Sequence, residues 1–207
     1  LCNVFLVLPV VLTILGGAFM PLLRLPDKKR NILLEIIVLI TSALALICVF
    51  NNPEDGFTLF HLTGNLDFAL RLDGLGSVFT CLIAILWPLA TLYAFEYMRH
   101  EERTTSFFAF YTMTYGVTMG IGMAKNLVTM YLFYELLTLV SVYLVMHPMT
   151  KKAIRASRTY LYYSIGGAAF AFISLIFVIV YGNTTDFVLG GVLDLGEIGE
   201  NVQVMLF

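Results

Sequence analysis

The chain has 207 residues and a formal net charge of −2; hydrophobic residues make up 59% of it and charged residues 13%. A soluble domain has roughly a quarter of its residues charged, so this composition, with a mean hydropathy of +0.89, excludes an ordinary soluble globular domain. The apolar residues form blocks about twenty residues long, which is the length that crosses roughly 30 Å of hydrocarbon. The sequence therefore predicts an all-α polytopic membrane protein.

The apolar blocks predict six transmembrane helices. In chain order their ranges are 1–23, 31–50, 74–96, 104–123, 126–147 and 159–181. The connection 51–73, between the second and third helices, alternates apolar and polar residues around Gly64 and Asn65. This pattern predicts a short β-hairpin on the protein surface.

The basic residues lie mostly on one side of the predicted membrane. The loops 24–30, 97–103 and 148–158 hold ten of the twelve: Arg24, Lys28, Lys29, Arg30, Arg99, Arg103, Lys151, Lys152, Arg155 and Arg158. Cytoplasmic loops carry the excess of lysine and arginine in membrane proteins. The distribution therefore predicts cytoplasmic loops at these three places in an inner (plasma) membrane, with the N-terminus outside.

The sequence becomes apolar again after the polar stretch 182–200 and finishes on NVQVMLF. This pattern predicts the start of a seventh helix, and it favours the front part of a longer protein over a chain that finishes on a short interfacial segment. The predicted organisation has three parts: two leading helices with an outer loop (1–73), four helices (74–181), and an outer polar segment with the start of the seventh helix (182–207).

Glu135 is the candidate functional residue. It lies near the middle of the fifth predicted helix, within YLFYELLTLV, where a charged side chain costs roughly 2.5–3.5 kcal/mol on insertion. Tyr131 and Thr138 share its helix face at i−4 and i+3, and they could hold a water molecule beside the carboxyl group. The pattern favours a proton-relay carboxyl. The alternative is a protonated glutamate that donates a hydrogen bond between helices.

The remaining polar and small residues have simpler interpretations. Glu35 is expected to pair with Lys28 or Arg30 near the membrane surface, and His147 is expected to be hydrated at the end of the fifth helix. Gly166 and Gly167, in the sixth helix, are predicted to allow close helix packing.

No cofactor or metal site is predicted. The sequence has no glycine-rich phosphate loop, no GxSxG or HExxH motif and no cysteine cluster. We interpret Cys2, Cys48 and Cys81 as small buried hydrophobic residues, without disulfides or an iron–sulfur centre. The basic loops are short and adjacent to the membrane, so nucleic-acid binding is not expected. The expected partners are the lipid bilayer and other membrane subunits.

Four stretches resemble antiporter-like proton-pumping subunits of respiratory complex I, multisubunit Na⁺/H⁺ antiporters and membrane-bound hydrogenases. They are FALRLDGLGSVF (68–79), YAFEYMRHEE (93–102), TMYLFYELLTLVSVYLV (129–145) and KKAIRASRTYLYYSIGGAAF (151–170). They occur in the order of the family and together cover about 68–181.

The resemblance implies that Glu135 matches the fifth-helix glutamate of that family, which pairs with a lysine on a broken seventh helix. It also implies two inverted repeats, of which residues 1–207 would hold three leading helices and the first half of the first repeat. The transported ion would be H⁺, with Na⁺ as an alternative, and any redox chemistry would belong to partner subunits. A non-transporting membrane scaffold and a lipid-modifying membrane enzyme are the alternatives.

Overall fold

The computed structural model describes residues 5–51, 56–63, 66–188 and 191–192. Within these ranges the chain forms six α-helices and one two-stranded sheet, which confirms the predicted fold class. The helices are α1 (Val7–Phe19), α2 (Asp27–Asn51), α3 (Gly74–Tyr97), α4 (Thr104–Gly122), α5 (Leu127–Met146) and α6 (Lys151–Tyr181). Cys2, the predicted turn at Gly64 and Asn65, and the predicted start of a seventh helix lie outside the described residues.

Four of the described helices are long and apolar enough to cross a membrane. They are α2, α3 with the 3₁₀ turn that extends it to His100, α5 and α6. The apolar helical stretch Val7–Leu23, which contains α1, is shorter. α4 is rich in threonine and glycine, which lowers its hydropathy, and it packs against both α1 and α5.

Glycine lets α1 and α4 approach closely. A Cβ atom on Gly17 would lie 2.6 Å from the carbonyl oxygen of Ala109, and one on Gly116 would collide with the Thr13 hydroxyl. Both contacts would be closer than a real Cβ atom allows, so any larger residue at Gly17 or Gly116 would force the two helices apart. α2 then packs on α1 and α3, and α6 packs on α5.

The predicted hairpin is confirmed, but it does not simply lie on the surface. Strand β1 (Phe57–Thr63) pairs antiparallel with strand β2 (Leu66–Leu70). Ala69 and Leu70 are completely or almost completely buried. The backbone N–H of Lys125 donates to the carbonyl of Ala69 at 3.0 Å, and that of Arg71 donates to the carbonyl of Met123 at 2.7 Å. The hairpin is therefore attached to the connection between α4 and α5.

α6 begins at Lys151, eight residues before the predicted start at 159. The Thr150 hydroxyl accepts a hydrogen bond from the N–H of Ala153 at 3.1 Å, which is the geometry of a helix N-cap. The predicted start was wrong because the charged residues of 151–158 were assigned to a loop. Lysine and arginine are good helix formers, so the basic residues of 151–158 lie on the first turns of α6.

Arg30, which was predicted to lie in the loop 24–30, is part of α2 and is only 3% exposed. Its guanidinium donates to the carboxylate of Asp27 at 2.6 Å and to the hydroxyls of Thr104 and Thr105 at 2.9 Å. It also lies over the Phe108 ring, 5.3 Å from the ring centroid. Arg30 therefore joins the first turns of α2 and α4.

Candidate functional site

The start of α5 is fixed by side chains that connect it to the hairpin. The Asn126 side-chain oxygen accepts from the N–H of Thr129, and its amide nitrogen donates to the carbonyl of Asp67, both at 2.8 Å. The hydroxyl of Thr129 accepts from the N–H of Ala69 at 2.9 Å. Asn126 thus caps the helix and anchors the strand, which sets the position of every residue further along α5.

Glu135 lies eight residues after the first residue of α5 and eleven before the last. At 1.5 Å per residue it is about 12 Å from one end of the helix and about 16 Å from the other. It is the one acidic or basic residue in α5, and its side chain is partly buried. The structure therefore holds a carboxyl group close to the middle of an apolar helix that is long enough to span a membrane.

Of the two residues expected beside Glu135, the structure brings Tyr131 to it. The Tyr131 side chain interacts with the Glu135 carboxyl group, and its ring packs against Phe172 of α6 with the centroids 5.6 Å apart. Thr138 is 6% exposed, and its hydroxyl donates to the carbonyl of Tyr134 at 3.3 Å. The Thr138 hydroxyl is therefore occupied by the backbone of its own helix.

A hydroxyl pair that the sequence did not reveal joins α5 and α6. The hydroxyls of Ser141 and Tyr160 are 2.8 Å apart, and the Ser141 hydroxyl also lies 3.2 Å from the Thr138 carbonyl. Ser141 lies six residues beyond Glu135, about 9 Å along the axis, towards the end of α5 that connects to the basic first turns of α6. The sequence shows that Ser141 is a polar residue of α5. It does not show which residue of α6 lies opposite Ser141.

Gly166 makes no close contact with another helix among the described residues, and Gly167 only borders α5. A Cβ atom on Gly166 would have no described heavy atom within 4 Å, and one on Gly167 would have the Tyr134 hydroxyl at 4.0 Å. Their predicted role in close helix packing stays a prediction.

No ion pair to Glu135 occurs among the described residues. The nearest basic residue along α5 is Lys125, and its ammonium group pairs with the Asp186 carboxylate at 3.1 Å, beyond the start of the helix. The same part of the chain brings no group of three or more His, Cys, Asp or Glu side chains together in a metal-binding arrangement.

Glu35 and His147 both differ from their sequence interpretations. One carboxyl oxygen of Glu35 is buried without a hydrogen-bond partner among the described residues, because Arg30 is committed to Asp27. His147 is 6% exposed rather than hydrated, and the described residues offer neither ring nitrogen a partner. Burial lowers the pKa of His147, nearby Glu101 opposes this effect, and Arg103 adds to it.

Comparison with known proteins shows which proteins this chain resembles. Residues 60–108 match the family model for NADH-ubiquinone oxidoreductase (complex I), chain 5 N-terminus. The chain is 36% identical over 80 residues to a probable K(+)/H(+) antiporter component of Rhizobium meliloti. It is 33% identical over 88 residues to an Na(+)/H(+) antiporter component of Staphylococcus haemolyticus.

These sequence matches cover 39% and 42% of this chain but only 8% and 11% of the two relatives. The chain therefore spans about a tenth of the length of the curated relatives that it matches.

Solved membrane complexes share the fold. A chain in the Mrp complex from Dietzia sp. DQ12-45-1b superposes with a TM-score of 0.75 at 19% identity, over 87% of this chain and 20% of that one. A chain of respiratory complex I from Thermus thermophilus gives 0.64 at 26% identity, over 79% of this chain and 33% of that one. The chain is therefore similar to antiporter-like membrane proteins, in its fold and over part of its sequence. More particularly, it resembles the matched components of the Na⁺/H⁺ and K⁺/H⁺ antiporters and the complex I chain.

Proposed function

We propose that this chain is part of a cation/proton-translocating membrane subunit in a multisubunit complex, with Glu135 as its proton-relay carboxyl group. The observation that carries the proposal is the position of Glu135, a partly buried carboxyl group near the centre of α5. The names of the relatives, which are subunits of Na⁺/H⁺ and K⁺/H⁺ antiporters, support this class of activity. H⁺ is the ion that the carboxyl group itself would carry.

The relay depends on a partner whose charge or distance changes. A unit positive charge that approaches to ~4 Å stabilises a carboxylate by roughly 4 kcal/mol at an effective dielectric constant of ~20. An approach of this kind would favour the ionised form of Glu135, and retreat of the cation would favour the protonated form. A lysine ammonium is the partner that the family resemblance implies.

Hydroxyl groups that could exchange protons with Glu135 lie before it and after it along α5. The Tyr131 side chain interacts with it from the preceding turn. The Ser141–Tyr160 hydroxyl pair provides the next polar groups towards the basic end of the helices. Hydroxyl groups can both donate and accept hydrogen bonds, so water placed between these groups could carry a proton along the boundary between α5 and α6.

The test is proton flux through vesicles that contain the intact complex. Glu135→Gln keeps the shape of the side chain but removes its proton exchange, and we expect flux to fall at least about tenfold, which corresponds to ~1.4 kcal/mol in the barrier. Glu96→Gln is the matched control, because Glu96 is exposed and pairs with Arg99 at the end of α3. Equal flux in the wild type and Glu135→Gln would contradict the proposal.

The scaffold alternative makes the opposite prediction. It has support from α6, whose exposed aromatic residues Tyr162, Tyr163 and Phe170 form an apolar surface suited to lipid or to another helix. If the chain only assembles a complex, Glu135→Gln leaves flux unchanged, whereas substitutions at Gly166 or Gly167 reduce the amount of assembled complex.

A further inference from the structure

We propose that Glu35 is a second proton-binding group within the membrane, separate from Glu135, and that a water molecule links it to the indole N–H of Trp87. The inference does not rest on the relay role of Glu135. It rests on three helices, α2, α3 and α4, which bring a carboxyl group, an indole and a phenol to the same depth.

The depth follows from the helix lengths. Glu35 lies eight residues into α2, and Tyr111 lies seven residues into α4, which places both about 10–12 Å from the first residue of their helices. Trp87 lies ten residues before the end of α3, or about 15 Å. α3 runs antiparallel to α2 and α4, so these three residues occupy one layer near the basic end of the bundle.

Two complementary polar atoms in this layer have no partner among the described residues. They are Oε2 of Glu35, which is a hydrogen-bond acceptor when ionised, and Nε1 of Trp87, which is a donor only. A buried polar group without a partner costs about 1–3 kcal/mol. A shared water molecule accepts from the indole and donates to the carboxylate, so it would satisfy both atoms at once.

The surrounding side chains hold Trp87 in place. Its ring packs against Tyr111 with centroids 5.2 Å apart and stacks on Tyr115 at 5.0 Å. The Tyr115 hydroxyl in turn lies 2.7 Å from the hydroxyl of Ser42 on α2. The indole N–H therefore has a fixed direction, and it cannot turn away to find an acceptor elsewhere without breaking both ring contacts.

Tyr111 is the titratable group that faces Glu35 from α4. It interacts electrostatically with Glu35 and contacts the side chain of Thr91 on α3. The Thr91 hydroxyl donates to the Trp87 carbonyl at 2.8 Å, which leaves its oxygen able to accept from Tyr111. Tyr111 thus gives the Glu35 carboxyl group a neutral hydroxyl neighbour.

No cation neutralises Glu35 within the described residues. On α2 itself, Arg30 pairs with Asp27 and Lys28 is exposed. α1 carries no titratable residue. On α3, Tyr93 and Tyr97 are about 70% exposed, and the Glu96 side chain is 78% exposed. A carboxyl group in this setting can change its charge only by binding or releasing a proton.

The proposal is tested by infrared difference spectroscopy on the intact complex in vesicles, recorded between acidic and alkaline buffer. We expect the wild type to show a carbonyl-stretching band of a protonated carboxylic acid that disappears in Glu35→Gln. Trp87→Phe keeps an aromatic ring between the two tyrosines but removes the N–H, and we expect it to shift the frequency of that band. Glu96→Gln, at the exposed control position, should leave the band unchanged.

Two results would overturn the proposal. A carbonyl region in Glu35→Gln identical to that of the wild type would show that Glu35 does not bind a proton in this range. If Trp87→Phe left the frequency of the band unchanged, no water molecule would link Glu35 to the indole N–H. Tyr111→Phe keeps the ring contact with Trp87 and should also shift the band, because it removes the hydroxyl group near Glu35. Glu135→Gln should leave the Glu35 band in place, so the two proposals can fail separately.

Discussion

Glu135 and Glu35 both place a carboxyl group within a membrane-spanning helix, but their surroundings differ. Glu135 has Tyr131 beside it on its own helix, and the Tyr131 ring packs against Phe172 of α6. Glu35 lies among α2, α3 and α4, close to Tyr111 and at the depth of Trp87. Glu135 borders α6, which has a large exposed face, whereas Glu35 lies on α2, which packs on α3 and α4. We therefore expect a movable partner to approach Glu135 from the open side of α6.

His147 gives a prediction about pH and stability. Its pKa is lowered from 6.5 by burial, so the unfolded chain binds a proton at a higher pH than the folded protein does. The contribution of His147 to stability is therefore fully present above about pH 6.5. It is lost as the pH falls through the pKa of the unfolded chain and then through that of the folded protein. We expect the thermal midpoint of the complex to be lower at pH 5.5 than at pH 7.5, measured by thermal unfolding.

The matched variants for this prediction are His147→Phe and His100→Gln. Phenylalanine can keep the edge contact with Phe107, which lies 5.1 Å from the His147 ring, and it does not titrate. His147→Phe should therefore reduce the loss of stability on acidification. His100 is exposed, so His100→Gln should leave that loss unchanged. If His147→Phe lost as much stability on acidification as the wild type, His147 would not be the source of the pH dependence.

At the scale of elements, the hairpin and α5 form one unit through Asn126. Asn126→Ala removes both the helix cap and the hydrogen bond to the Asp67 carbonyl. A lost cap costs about 0.5–2 kcal/mol, so we expect a lower thermal midpoint and faster hydrogen exchange at the start of α5, read by mass spectrometry. Thr150→Ala, which removes the cap of α6, should increase exchange at α6 only. Unchanged exchange at Leu127–Met146 in Asn126→Ala would contradict the prediction.

The contact between α4 and α5 depends on Gly120. A Cβ atom there would collide with the ring of Phe133, and overpacking of this kind costs about 1–3 kcal/mol. We expect Gly120→Ala to lower the thermal midpoint and the double variant Gly120→Ala/Phe133→Leu to recover part of the loss. Gly74→Ala is the control, since nothing lies within 4 Å of its added Cβ. Equal midpoints for Gly120→Ala and Gly74→Ala would show that the helices can separate at no cost.

The elements were largely predictable because each depends on local sequence. Apolar blocks of membrane length gave the helix order, and alternation around Gly64 and Asn65 gave the hairpin. The start of α6 was missed because the four basic residues of 151–158 indicated a loop more strongly than Thr150 indicated a helix N-cap. The burial of Arg30 was missed because its partners Thr104 and Thr105 lie more than seventy residues away, and helical spacing contains no information about such contacts.

At the scale of the whole molecule, the described residues leave one side of the helix bundle open. α6 packs on α5, and Tyr162, Tyr163 and Phe170 are 75–80% exposed. Sequence could predict that Glu135 shares a face with Tyr131, because both lie on one helix. It could not predict the Ser141–Tyr160 pair, because that contact depends on how two helices are aligned.

Gly166 tests the predicted packing of this open side. Gly166→Leu places a bulky side chain where small residues are predicted to allow close helix approach, and we expect a smaller yield of assembled complex on size-exclusion chromatography. Ile165→Leu is the control, because it changes an adjacent exposed residue without changing its volume. A wild-type yield in Gly166→Leu would assign this face to lipid instead.

The central claim is that proton exchange at Glu135 is required for transport. The most direct measurement compares proton flux per assembled complex in Glu135→Asp and Glu135→Gln, because only aspartate retains a carboxyl group. The account predicts reduced but measurable flux with aspartate and a loss of at least about tenfold with glutamine. Wild-type flux in Glu135→Gln, in complexes that assemble normally, would contradict it.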